Sequence, residues 1–187
     1  VEDWKLFAAL SQRGESFSGK IITLTADIDF SGVNFLEIAA DGTVISDLRI
    51  PKFSGTFDGG NYTIKNLNFD VKNTGKNHIM IFSQDNMWAY IRNLKIENIT
   101  VYVADISGET RITGLANRVN AGGMTDAAIK NVHIKNFKIE SNNTTSSDFR
   151  IGGFAYFVQG SQLVIEDSSI TGFVVNVNKA KLVGGAV

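Results

Sequence analysis

Ile91-Arg92-Asn93-Leu94-Lys95-Ile96-Glu97-Asn98-Ile99-Thr100-Val101-Tyr102-Val103 cannot be a straight strand with one buried face. Successive side chains on a strand point to opposite sides. Leu94 and Ile96 therefore share one parity, while Ile91, Ile99, Val101 and Val103 have the other. All six reach one core only if the chain turns near Asn93 and again near Asn98. Asparagine suits such corners, because its short polar side chain tolerates left-handed backbone and bonds locally.

The arrangement recurs. Ile129, a corner at Asn131, Val132 and Ile134, a corner at Asn136, then Phe137 and Ile139 repeat it, and a further copy places Asp167 and Gly172 at the corners. A related phrase, Thr63-Ile64-Lys65-Asn66-Leu67-Asn68-Phe69, supplies Asn66 as another corner. Counted by isoleucine, the copies are spaced 27 (64 to 91), 38 (91 to 129) and 36 (129 to 165) residues apart. Periods of 20 to 50 residues mark a solenoid. A third apolar segment completes each unit: Ile79-Met80-Ile81-Phe82, Ile112-Thr113-Gly114-Leu115-Ala116, Ile151-Gly152-Gly153-Phe154-Ala155 and Leu182-Val183-Gly184-Gly185-Ala186. Three short faces bent around one core describe a coil of a parallel β-helix, with coils about 4.8 Å apart. Polar loops at 72–77, 105–109, 119–126 and 141–148 are expected to hang together on one side.

The bulk properties agree. A chain of 187 residues with 43% apolar and 20% charged residues has the makings of one folded domain. A net charge of −1 argues against nucleic acid as a partner. There is no cysteine and no apolar run long enough to span a membrane, so neither disulfides nor membrane insertion is expected.

Residues 2–12 read as the one helix. Leu6, Phe7 and Leu10, with Trp4 beside them, form its apolar side, Glu2 and Asp3 suit its first turn, and Gly14 closes it. A helix ahead of an all-β chain is expected to cover the open first coil, whose backbone edge and core would otherwise be bare. Residues 20–30 read as a strand, with Ile22, Leu24, Ala26 and Ile28 inward and Asp27 and Asp29 outward. The fold expected is all-β, a right-handed parallel β-helix with an N-terminal capping α-helix: one domain over 1–187, with 1–19 as cap and 20–187 as stacked coils. Leu182 to Val187 begins another third face without a polar cap, which leads to the expectation of a longer natural chain.

The runs FSGKIITLTADIDFSG (17–32) and FSGTFDGGNYTIKNL (53–67), with the recurring IKNL and glycine-containing segments, resemble the GLUG-repeat family of bacterial surface proteins. That family also occurs as an accessory region in exported proteins such as immunoglobulin A1 peptidases. The resemblance implies a right-handed β-helix at the cell surface or outside the cell, serving adhesion, display or spacing. It carries no catalytic residues.

Candidate chemistry lies on the outer faces. Lys65, Arg92, Lys130 and Glu166 are expected in one outward column, a basic stripe that could meet an anionic glycan. Asp70 and Glu97 are expected as like-charged neighbours in another. Asp27 and Asp29 could bind a cation or act as acid and base, or simply form a solvated face. Trp88 and Tyr102 are candidate sugar-binding aromatics, with burial the expectation for Trp88, and either Tyr156 or Phe157 faces out. The corner residues Asn66, Asn93, Asn98, Asn131, Asn136 and Asp167 either form a ladder along the axis or cap their own turns. His78 and His133 lack partners at metal-ligand spacing, so no metal and no cofactor is expected. Three functions remain open: a non-catalytic scaffold or adhesin that binds a host or bacterial surface protein or glycan, a carbohydrate-active enzyme, or an accessory domain of a surface peptidase.

Overall fold

The computed structural model describes residues 1–72, 77–104, 108–142, 147–160, 164–177 and 180–183. It is a parallel β-solenoid of about four turns preceded by one helix, with 55% of residues in strands. After α1 (Glu2–Gln12), the first coil contains β1 (Ile21–Thr23), β2 (Ile28–Asp29), β3 (Asn34–Ile38) and β4 (Val44–Asp47). The second contains β5 (Thr56–Asp58), β6 (Thr63–Val71) and β7 (Asn77–Ile79). The third contains β8 (Tyr90–Val103), β9 (Thr110–Thr113) and β10 (Ala116–Asn120), and the fourth β11 (Ile129–Ser141), β12 (Ser147–Gly152) and β13 (Ala155–Gln159). Strands β14 (Ile165–Glu166), β15 (Ser169–Val177) and β16 (Ala180–Val183) begin another turn.

Three sheets run along the axis. The longest stacks β3, β6, β8, β11 and β15, the second β7, β9, β12 and β16, and the third pairs β10 with β13. Ile50, Phe82 and Ala116 extend the third sheet as bridges. All pairings are parallel except the β3–β4 hairpin, which turns at Gly42. The third-face segments at 79–82, 112–116 and 151–155 each begin in the second sheet, at Ile79, Ile112 and Ile151, and end in the third, at Phe82, Ala116 and Ala155; the fourth, at 182–186, falls mostly outside the described residues, as do parts of the loops at 72–77, 105–109 and 141–148.

The register corrects one expectation. Ile64 stacks on Ile96, then Ile134 and Ile170, while Ile91 stacks on Phe57 below and Ile129 above. The phrase at 63–69 therefore belongs with 95–101, not with 90–96. The third and fourth coils each carry two corners with the same signature, an apolar residue, any residue, Asn, then an apolar residue, and the spelling of 64–67 fits either one. The missing first corner of that coil is Asp58-Gly59-Gly60-Asn61, where a β-carbon on Gly59 would meet the Asn93 carbonyl of the next coil at 2.4 Å.

These columns are the core. Phe57, Ile64, Ile91, Ile96, Ile129 and Ile134 are fully buried. Fully burying such a side chain is worth roughly 1.5–3 kcal/mol. One coil further, Ile165, Ile170, Phe173 and Val175 pack on this core but remain half-buried. The Phe173 ring stacks on Phe137 at 5.0 Å.

Helix α1 lies over the first coil, but not on the face its leucines suggest. Trp4, Phe7, Ala8 and Ser11 are buried, and Leu6 is 60% exposed. Both stripes have helical spacing; the aromatic one wins because the end of the core is itself aromatic. The Trp4 ring meets Phe30, Phe35 and Phe57, and Phe7 meets Phe17, Phe53 and Phe57. Trp4 Nε1 donates to the Leu48 carbonyl, and the Ser11 hydroxyl both donates to the Lys52 carbonyl and accepts from its N–H. Residues 20–30 form two short strands, with Ala26 exposed.

Candidate functional site

The corners have left-handed backbone: φ is 60° at Asn66, 53° at Asn93, 59° at Asn98, 51° at Asn131, 58° at Asn136 and 48° at Asp167. Their amides bond between coils and form ladders. Asn136 Nδ2 donates to Asn98 Oδ1, Asn98 to Asn66, and Asn66 to Asp29. On the other corner Asn131 donates to Asn93 and Asn93 to Asp58. A short third run goes from Asn68 to Asn34 to Glu37. In the two corner ladders every amide donates toward the N-terminal coil, whereas Asn34 donates within its own strand, and each run ends on a carboxylate, which can only accept.

Asp27 and Asp29 are therefore engaged in structure. Asp27 accepts the Thr63 N–H. Asp29 accepts from Asn66 and from both the hydroxyl and N–H of Ser31, and these bonds hold its proton affinity far below the ordinary aspartate value. Asp58 accepts from Gly60 N and Asn93. Burial works against its charge, but those bonds and Arg92 outweigh it and lower its pKa.

The expected column forms in part: Lys130 stands in register with Arg92 and Glu166, but Lys65 stands apart, in register with Asp29 and Glu97 and 3.5 Å from the Asp29 carboxylate. Arg92 and Lys130 are neighbours, but Arg92 faces Asp58 at 3.4 Å and Lys130 faces Glu166 at 3.0 Å and Asp126 at 3.5 Å. Asp70 and Glu97 are not neighbours either. Asp70 pairs in register with Glu37 and Tyr102, and Lys72 lies 2.8 Å from it, while Glu97 lies between Lys65 and Lys135. Both misplacements follow from the shifted register of the 63–69 phrase.

A second charged array lies on the face of β7, β9 and β12. His78, Arg111 and Arg150 occupy one column. Glu109 bridges Arg111 at 2.8 Å and Arg150 at 2.9 Å. Asp148 pairs with Arg150, and Asp85 with Arg111. The Tyr156 ring lies under both guanidiniums, at 4.8 and 5.5 Å, and its hydroxyl accepts from Arg150. Fully buried Asn117 donates to Asp85. The signal for this array was present: His78, Arg111 and Arg150 each immediately precede an inward isoleucine (79, 112, 151).

Trp88 is exposed, 45% accessible, which overturns the expected burial. It follows Met87, whose side chain takes the inward place in the third sheet. With Tyr90 it flanks a groove of about 360 Å³ lined also by Gly19, Lys20, Ile21, Ser54, Gly55 and Thr56. Ile21, Thr56 and Tyr90 are in register across three coils. A β-carbon on Gly55 would meet the carbonyls of Phe17 and Lys20 at 2.4 and 2.6 Å, so the groove is floored by close backbone. Tyr102 stands elsewhere, half-buried in register with Asp70 and Glu140. Of the adjacent pair, Phe157 is exposed beneath Arg118 and Tyr156 is half-buried. His133 bonds Asn131 and Ser169. Among the described residues no group of three His, Cys, Asp or Glu is placed to hold a metal ion, and no helix is long and apolar enough to cross a membrane.

Compared with known proteins, the chain matches no family model, no curated protein and no solved structure.

Proposed function

We propose that this β-solenoid is a non-catalytic, extracellular scaffold of a bacterial surface or secreted protein of the GLUG-repeat type, acting as an adhesin-type domain toward a surface protein or glycan. The observation that supports this reading is the commitment of outward charges to one another. Lys65, Arg92, Lys130, Arg111 and Arg150 each face a carboxylate within 3.5 Å. General acid catalysis by a carboxyl group calls for a raised pKa; Asp29, Asp58 and Asp126 are all shifted the other way. Such a surface holds shape and leaves its less committed side chains to recognise a partner.

The test has two arms. The purified protein is incubated with a panel of acidic and neutral polysaccharides and chain length is followed, while labelled protein is titrated onto bacterial and host cell surfaces. Saturable surface binding without depolymerisation is the expected result. Depolymerisation lost on Asp85→Asn or Glu109→Gln substitution would establish the carbohydrate-active enzyme instead.

A further inference from the structure

We propose that the groove between Trp88 and Ile21 binds a uronic-acid-bearing saccharide; the proposal rests on the surface-adhesin reading and gives it a ligand class. An exposed indole beside a phenol offers the apolar, electron-rich face on which the C–H side of a pyranose ring stacks. The Ser54 and Thr56 hydroxyls lie among the groove residues and can donate to or accept from sugar hydroxyls. The volume, about 360 Å³, is at the lower end of small-ligand sites (roughly 300–1,000 Å³), a size for a short saccharide and not for a folded partner.

Charge selects within the sugars. Lys20 is the one charged residue lining the groove. It is exposed, and among the described residues it has no ion-pair partner. Lys65, Arg92 and Lys130 each face a carboxylate of the chain, whereas Lys20 lines the groove without one among the described residues. A ring carrying a carboxylate would stack on Trp88 and place its charge toward this ammonium. The backbone beneath is fixed, because Gly55 sits against the carbonyls of Phe17 and Lys20 and leaves no room for the floor to rise.

The chain has two tryptophans, and they report separately: Trp4 is buried under the cap and Trp88 is exposed. Titrating the full chain with tetragalacturonate should quench or shift the emission of Trp88 saturably. The fully methyl-esterified tetramer, with the same rings and no charge, should bind at least tenfold more weakly. Trp88→Ala should abolish the signal and reduce calorimetric affinity at least tenfold. Lys20→Met, at an exposed site with little bearing on folding, should bring the acid and ester affinities together. The proposal is overturned by absence of saturable tetragalacturonate binding, by affinity unchanged in Lys20→Met, or by equal binding of a glutamate tetrapeptide, which would mark an acidic-peptide site. Cell-surface binding that persists in Lys20→Met without any tetragalacturonate binding removes the groove and keeps the adhesin reading. Tetragalacturonate binding accompanied by cleavage does the reverse.

Discussion

Two faces of this solenoid solve the same problem with different chemistry. Along the corners between 58 and 136, neutral amides tie each coil to the one before it, and ions enter only where the ladders end, at Asp29, Asp58 and Glu37. Along β7, β9 and β12, half-buried arginines are held by Glu109, Asp148 and Asp85 around a tyrosine ring. An amide rung is both donor and acceptor, so identical residues can stack without limit. Stacked Arg111 and Arg150 repel and require a carboxylate between them, which Glu109 supplies. The ladder is indifferent to salt and, along most of its length, to pH; the arginine face depends on full ionisation of its carboxylates.

The comparison breaks most visibly at a middle rung. Asn93→Ala removes a donor and an acceptor and leaves a β-carbon at φ 53°. With ~1–2 kcal/mol for left-handed backbone and ~1 kcal/mol per hydrogen bond, the expected loss is about 3 kcal/mol in denaturant unfolding. Asn93→Gly should recover the backbone share; equal losses in the two variants would show that the corner conformation costs nothing. Next is Glu109→Ala, which leaves two guanidiniums without their shared partner and should cost about 2 kcal/mol, less than breaking a fully buried pair. Its deficit should shrink in 1 M salt, where screening acts within about 3 Å, while that of Asn93→Gly should not. A salt response common to both would dissolve the distinction between the faces.

The smallest effect is at the end of a ladder. The folded pKa of Asp29 is lowered, chiefly by its bond from Asn66 and those from Ser31. Its contribution is therefore complete above the ordinary aspartate pKa of about 4 and is lost as pH falls below it toward the folded value. Asp29→Asn should lower the melting temperature slightly at neutral pH and flatten the acid limb. An acid limb unchanged by the substitution would assign acid lability to other carboxylates.

The solenoid was legible because parity fails at fixed places, and an asparagine stands at almost every failure. The helix was legible to the residue. The register of the second coil was not, because Ile64-Lys65-Asn66-Leu67 carries the signature of both corners, and only the 27-residue interval hinted at a slip. The helix face is not legible from spacing alone: Trp4 and Ser11 are chosen by Leu48 and Lys52, more than thirty residues away. The charge pairings followed the register and shared its fate. Trp88 looked buried because large apolar residues usually are; Met87 had already taken the inward place. The groove remained hidden since Lys20, Ser54 and Trp88 meet only when coils stack.

The one-way donation of the amide ladders gives the stack a polarity. Aligned amides strengthen one another, and their summed dipoles put a partial positive charge at the end nearest α1, where Asp29, Asp58 and Glu37 wait as anions do at a helix N-terminus. At the opposite end Gly172 offers no amide to Asn136. A coil laid down early thus presents ready acceptors to the one that follows, and a coil laid down late has nothing to offer backward but donors.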